Sequence, residues 1–403
     1  MATPVQVPDR PDLLKLMLDD LASAPAAFRP TNYWSVYEQR FVPELTNRGL
    51  VDFRRRRGTV LTSFGASDYR PRGAYLDLSR SRVFGNRVTQ HLPGWKRLLA
   101  RMSDLFNRDG LSPVRLDVYE CGLRELQESA FRLTQLYGEH AGARPLDSIE
   151  LSCAGNPEDV FEIAGRPYTM RALYYYLRYA YCCQFVDFEQ IDLMVELGSG
   201  MGRQIEIIRK LHPRTRILAF DIPPQLYVCN QFLSTIFPDA LAGYETTRSY
   251  RTLPDFPAGT VAICGTWLFP LVRERRVDLF WNAVSFQEME PGVVANYLSY
   301  IAPAARAVYL QERMDGKEQS RAAGEHGVLH PTTLDDYRRG LPNHTLVDMS
   351  PCLRPLGTLP STVTHSGVSR KTDESDKAGF VRLMSGCVRL CPALSVLMRG
   401  DRV

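Results

Sequence analysis

The residues best equipped for chemistry are Glu196-Leu-Gly-Ser-Gly-Met-Gly202, answered downstream by a second carboxylate at Asp221. Glycine at 198, 200 and 202 permits a tight turn with positive φ and lets a ligand approach bare backbone. A carboxylate at the end of the next apolar run, about 20 residues on, is placed to accept hydrogen bonds from ribose hydroxyls. Glycine spacing narrows the nucleotide. A dinucleotide site uses G-x-G-x-x-G, because its pyrophosphate sits on a helix N-terminus. Here the glycines alternate, and Glu196 stands two positions before the first of them. A carboxylate there repels a pyrophosphate and suits a cation carrying an ammonium and a sulfonium. S-adenosylmethionine is that ligand. The competing reading, a glycine-rich turn in some other α/β protein, matches fewer of these features.

The elements that must position this turn are legible around it. Leu193, Met194, Val195 and Leu197 form a short apolar run suited to a buried central strand. Arg203 to Leu211 reads as a helix with Ile205, Ile208 and Leu211 on one face and Pro213 past its end. Arg216–Asp221 is a second strand, Ile222-Pro-Pro224 a rigid turn, and Gln225 to Phe237 a second helix. Thr260–Gly265 is a third strand with Thr266 and Trp267 at its end, where Trp267 either stacks on adenine or packs structurally. Val277–Asn282 is a fourth, with Asn282 either facing the ligand or serving the turn. A fifth runs from Ala305 to Glu312. A last antiparallel pair is expected from Thr345–Asp348 and Leu394–Met398, with a long loop over 351–378 between them.

A family resemblance rests on these residues. Val195-Glu-Leu-Gly-Ser-Gly-Met-Gly202 resembles motif I of the class I S-adenosylmethionine-dependent methyltransferases. Tyr174–Cys182, Phe220-Asp-Ile-Pro-Pro-Gln-Leu-Tyr-Val228 and Asn282–Met289 resemble, more narrowly, a family of sugar O-methyltransferases. The resemblance spans roughly residues 150 to 350 and is sharpest at Asp221-Ile-Pro-Pro-Gln225. It implies an α/β fold of the class I methyltransferase type, a Rossmann-like and mostly parallel seven-stranded sheet. It supports methyl transfer more strongly than any one acceptor. The cofactor contacts expected are Glu196, Gly198, Ser199, Gly200, Gly202, Asp221, Ile222, Thr266, Trp267 and Asn282.

Methyl transfer needs a nucleophile held in line with the sulfonium methyl, and much of the rate comes from that positioning. A sugar hydroxyl also needs a general base, whereas a carboxylate acceptor needs none. Glu288, after the fourth strand, and His326, after the fifth, are equal candidates for that base. Glu288 could instead be a helix-start carboxylate favoured by the macrodipole. Gln287 and His330 are placed with them as substrate contacts. His326 and His330 are four apart, but no third ligand is in view, so no metal is read. Six tyrosines crowd Tyr168 to Phe185. Tyr168 and Tyr176 are candidates for lining an acceptor pocket, against packing of a helix between domains.

At 403 residues the chain holds a full α/β core plus about 150 residues more. Residues 1–148 read as a mainly helical region that caps the site, shapes the substrate cleft or makes a homodimer. Residues 149–403 read as the cofactor domain. A net charge of +4 is mild and does not argue for nucleic acid, so no such partner is expected. Arg54–Arg57 is a short basic run without interleaved aromatics. Nine scattered cysteines without a C-x-x-C pair support neither zinc nor a disulfide framework. With no signal peptide and no long apolar run, the expectation is a cytoplasmic protein independent of membranes. Its function is then O-methylation of a sugar or glycosylated small molecule. Alternatives are a carboxylate acceptor on a peptide-derived product, or a scaffold with this fold and no turnover.

Overall fold

Among the described residues an eight-stranded sheet carries the architecture, with a fully buried strand near its centre. The computed structural model describes residues 5–56, 61, 94, 95, 98, 113–352 and 364–371. In chain order, helices α1 (Pro11–Ser23), α2 (Asn32–Arg48) and α3 (Pro113–His140) lead to a hairpin of β1 (Phe161–Ile163) and β2 (Arg166–Tyr168), then to α4 (Met170–Cys183). The next units are β3 (Leu193–Leu197) with α5 (Arg203–Leu211), β4 (Arg216–Asp221) with α6 (Pro223–Ile236), and the two-residue β5 (Leu241–Ala242) with the single-turn α7 (Tyr244–Thr247). Strands β6 (Val261–Gly265) and β7 (Val277–Ala283) follow, then α8 (Pro291–Ala304), β8 (Ala305–Arg313) and α9 (Leu334–Gly340). The described chain closes with β9 (His344–Pro351) and β10 (Thr364–Lys371).

All five residues of β3 are buried, as a strand covered on both faces requires. The sheet order is β5-β6-β4-β3-β7-β8-β10-β9. The pairings from β5 to β8 are parallel, and β10 runs antiparallel to both β8 and β9. The order reverses at β3, whose neighbours are β4 and β7. Ligands in such sheets bind beyond the carboxyl ends at that switch point. The glycine turn sits there.

Two expectations need correction. Among the described residues the sheet has eight strands rather than seven, through the short edge strand β5. The partner of β9 is β10 at 364–371, inside the stretch expected to be loop; residues 394–398 lie outside the described residues. Thr-His-Ser-Gly-Val-Ser-Arg-Lys shows little apolar alternation, and burial of Val368 with pairing on both sides outweighs that weak local signal. The apolar spacing of Trp95 to Phe106 predicts a further helix, and that stretch falls largely outside the described residues.

The N-terminal helices share a core with the cofactor units. Leu13, Met17, Phe41 and Leu45 pack into one cluster with Leu226 and Phe232 of α6. Polar contacts pin the same interface. The Tyr227 hydroxyl donates to Asp9 and accepts from the Arg10 amide at 2.7 Å, while Arg248 and Tyr244 both donate to Asp20. On the opposite sheet face, Val195, Leu197 and Phe280 pack against Tyr297 and Leu298 of α8.

Candidate active site

The turn after β3 takes the backbone its glycines permit. Gly198, Gly200 and Gly202 have φ of 81°, 55° and 85°. The Gly198 amide donates to the Phe220 carbonyl at 2.9 Å, tying the turn to the end of β4. Both oxygens of Asp221 brace the same turn: Gly200 N–H donates to one and Ile222 N–H to the other, each at 2.8 Å. Burial lifts the Asp221 carboxyl to about 7 against those two hydrogen bonds, with the Glu288 charge adding to the rise. A side chain on Gly198 would run into Ser285. Gly198→Ala is therefore expected to cost about 1–2 kcal/mol in backbone strain alone. It should also weaken cofactor-analogue binding, measured by denaturation and titration of the same variant.

Buried polar atoms without partners gather around this turn. Among the described residues, Glu196 Oε2, both amide atoms of Gln204 and of Gln225, and Trp281 Nε1 have none. Leaving such a group unmet costs about 1–3 kcal/mol, so their concentration marks a place for a polar ligand. Ser199 lies buried against the Cys229 thiol. Burial pushes Glu196 well above the usual carboxylate range, opposed by the nearby Arg178 guanidinium. Arg178 is itself buried, its guanidinium 4.4 Å from the Tyr174 ring centre and 4.8 Å from that of Tyr175. Sequence reasoning missed Arg178. Its only signal was a cation among the tyrosines of α4.

Several residues expected to contact ligands carry framework contacts of their own. Thr266 donates its hydroxyl to the Phe28 carbonyl at 2.7 Å. Asn282 is fully buried, donating to the Leu197 carbonyl at 2.9 Å and accepting from the Phe286 amide at 3.1 Å, so it staples β3 to the loop after β7. Gln287 accepts from the Arg313 amide and donates its own amide to Glu312, each at 3.0 Å. Trp267 is half-buried, folded back over Gly265 and edge-on to Tyr244. Ile222 is the N-cap of α6. Tyr168 packs on Phe131 and Phe161, and Tyr176 donates to the Arg144 carbonyl at 2.7 Å. Both rings are core. Their bulk fills the space between α3 and α4 rather than a pocket.

The two candidate bases come together around Tyr33 of α2 without touching. Glu288 pairs with Lys317 at 2.9 Å and faces the Tyr33 hydroxyl and the Trp34 indole. Burial raises its carboxyl, with Lys317 opposing. Lys317 Nζ lies 4.7 Å above the Tyr33 ring, and His326 meets that ring edge-on at 5.6 Å. His326 is exposed, with Nε2 3.0 Å from the Tyr37 hydroxyl. His330 is exposed as well and shares none of these contacts. Trp34 and Tyr37 fall at helical spacing with Phe41 and Leu45, which in sequence reads as a core stripe. Their role depends on residues almost 300 positions away. Among the described residues, no group of three or more His, Cys, Asp or Glu could hold a metal ion.

The strand order, the reversed β10 and the glycine turn at the switch point together decide the architecture. The fold is that of a class I methyltransferase. No protein-family model matches the chain, and no curated protein matches it by sequence. Among solved structures, it is similar to an S-adenosylmethionine-dependent methyltransferase from Clostridium acetobutylicum ATCC 824, at 10% identity and a TM-score of 0.31 over 51% of this chain and 93% of that one. Magnesium protoporphyrin IX methyltransferase from Synechocystis PCC 6803 with bound SAM gives 10% and 0.31, over 73% and 94%. The N-terminal domain of EvdMO1 in the presence of SAH and D-fucose gives 14% and 0.30, over 60% and 97%. At such scores no residue role passes from one chain to the other. Among the described residues, no helix is long and apolar enough to cross a membrane.

Proposed function

We propose that the protein is an S-adenosylmethionine-dependent O-methyltransferase acting on a hydroxyl of a sugar or glycosylated small molecule. The observation that carries this reading is the alternating-glycine turn between Glu196 and Asp221, ringed by buried polar atoms that lack partners. Glu196 Oε2 suits the ammonium of the methionyl half, and the neighbouring Arg178 suits its carboxylate. Asp221 keeps lone pairs for ribose hydroxyls beyond those used by the turn. When bound, the cofactor would supply a methyl group from its sulfonium.

The chain's own work is to hold the acceptor and take its proton. Half-buried Trp34 offers an aromatic face for the apolar side of a sugar ring, with Lys317 and Glu288 beside it to bond its hydroxyls. Glu288 accepts the hydroxyl proton as the oxygen forms its bond to the methyl carbon and the carbon–sulfur bond breaks. Lys317 opposes the burial that raises the Glu288 carboxyl, and so favours the ionised form that task needs.

Assays with hydroxyl and carboxylate acceptors test this directly. Glu288→Gln should lower turnover of the hydroxyl acceptor about 100-fold or more and leave a carboxylate acceptor nearly unaffected. Unchanged turnover of the hydroxyl acceptor would remove Glu288 from the base role. Loss in His326→Ala alone would transfer the role to that side of Tyr33.

A further inference from the structure

At the end of the sheet remote from the glycine turn lies an open groove of about 970 Å³. It follows the starts of β7 and β8 and the last residues of β10, between the link at 273–276 and the end of α4. The cofactor turn leaves the carboxyl end of β3, and β7 and β8 run parallel to that strand. At about 3.3 Å per residue, the nine residues of β8 separate the two ends by roughly 25 Å.

Two kinds of side chain build the groove. Phe185, Val186, Pro303, Ala305 and Ala307 give it an apolar floor. Six cations stand over that floor: Arg273, Arg275 and Arg276 from the link, Arg306 from β8, and Arg370 and Lys371 from β10. These three segments are far apart in sequence. They meet because β7 pairs with β8, and because Arg370 of β10 falls opposite Ala307 of β8.

The charge balance of the wall is positive. Its carboxylates are Asp187 and Glu274, which accept from the Glu189 and Leu253 amides at 3.0 and 3.1 Å. Just outside, Asp255 pairs with Arg275 at 2.7 Å and Asp278 reaches Arg306 at 3.9 Å. Counting all four carboxylates still leaves two of the six cations in excess. Arg273 rests 4.1 Å above the Tyr300 ring, and Lys371 donates to the Pro303 carbonyl at 3.2 Å. Arg276 and Arg370 are exposed, with no carboxylate partner among the described residues.

Floor and rim together select an occupant. Guanidinium groups pair with carboxylates through two parallel hydrogen bonds, a fit that a lone ammonium lacks. A single nucleic-acid strand needs aromatic faces on which its bases stack. Phe185 is the one aromatic ring in this wall, and it is only 8% exposed. A small inorganic anion would leave the apolar floor in water. A peptide with carboxylates on either side of an apolar side chain satisfies both parts.

We propose that this groove is a docking surface for an acidic peptide segment of a partner protein, anchored by one aliphatic side chain on the Pro303–Ala307 floor. Arg276 and Arg370 take its carboxylates. Docking at this end leaves the carboxyl ends of the strands open, so the surface stands or falls independently of the methyl-transfer reading.

The test is fluorescence anisotropy of the full chain with a labelled Glu-rich peptide carrying one central Leu. It should bind at one site and weaken as salt rises, whereas the same peptide with Gln for Glu should not bind. Ser in place of its Leu should weaken it about tenfold. Arg276→Glu combined with Arg370→Glu should weaken it about tenfold or more, with thermal unfolding and S-adenosylhomocysteine titration unchanged. Arg124→Glu with Arg132→Glu, exposed on α3, makes the same change in net charge and should leave binding intact. Equal losses in the two double variants would reduce the effect to general attraction and overturn the proposal. Tighter binding of oligodeoxythymidylate through Arg276 and Arg370 would overturn it in favour of nucleic acid. Peptide binding that appears only after Asp373→Asn, Glu374→Gln and Asp376→Asn would assign the groove to the chain's own acidic run and overturn it as well. No peptide binding to any of these folded proteins would do the same.

Discussion

Glu206→Ala should destabilise the protein by about 3–5 kcal/mol, the typical result of removing one partner from a buried charge network. Glu206 has no exposed surface. One carboxylate oxygen accepts from the Ser152 amide at 2.6 Å and from Lys210 at 2.9 Å; the other pairs with Arg203. Arg203 is 3% exposed and Arg54 2%. Arg54 donates to the Ser152 and Ala154 carbonyls at 3.1 Å, and burial together with Arg203 pushes it down to about 9. Without Glu206, two buried cations face each other with much less compensation. Glu206→Gln keeps the shape and loses the charge, so it should fall nearly as far.

Urea unfolding at neutral pH measures this, and a loss below about 1 kcal/mol in both variants would contradict it. The pH dependence follows from the same contacts. Arg203 and Lys210 hold the Glu206 carboxyl below its ordinary value despite burial. Its contribution is therefore present above the unfolded carboxylate range and lost as pH falls through the lower folded value. Acid should destabilise wild type more than Glu206→Gln.

The second large effect is at Asp221. Asp221→Asn turns one carboxylate oxygen into an NH₂ that faces a backbone N–H donor, either Gly200 or Ile222. Affinity for S-adenosylhomocysteine should drop about 10- to 100-fold, the loss of a charge-assisted hydrogen bond plus a loosened turn. Because the empty-site carboxyl lies at about 7, wild-type affinity should rise with pH across that value as Asp221 ionises. Burial also raises Glu196, which adds a dependence of the same sign. In Asp221→Asn the component centred near 7 should vanish; an unchanged profile would place the titration elsewhere. For the unliganded protein the sign is opposite. A raised carboxyl contributes stability at low pH and loses it as pH climbs through about 7.

What could be read in the sequence was what local physics decides. Apolar runs at β3 and β4, the alternating glycines and Asp221 all lie within thirty residues, and each is fixed by burial or by φ. Asn282 and Thr266 look the same in sequence whether they face a ligand or a carbonyl. Only the positions of Leu197 and Phe28 separate the two. Tyr168 and Tyr176 mislead for a related reason, since an aromatic stripe looks alike in a core and in a pocket. The Tyr33, Lys317 and His326 cluster needed α2 to fold back over the loop after β8. The strand β10 needed two neighbours to stabilise a segment whose own pattern is mostly polar.

Titration of the wild-type protein with S-adenosylhomocysteine, with NAD as the comparison, tests the central claim most directly. One-to-one binding of S-adenosylhomocysteine, with no heat from NAD, is the predicted result. The alternating glycines and Glu196 would then select a nucleoside carrying an amino acid over a pyrophosphate. A folded protein that ignores S-adenosylhomocysteine, or that prefers NAD, would contradict the account.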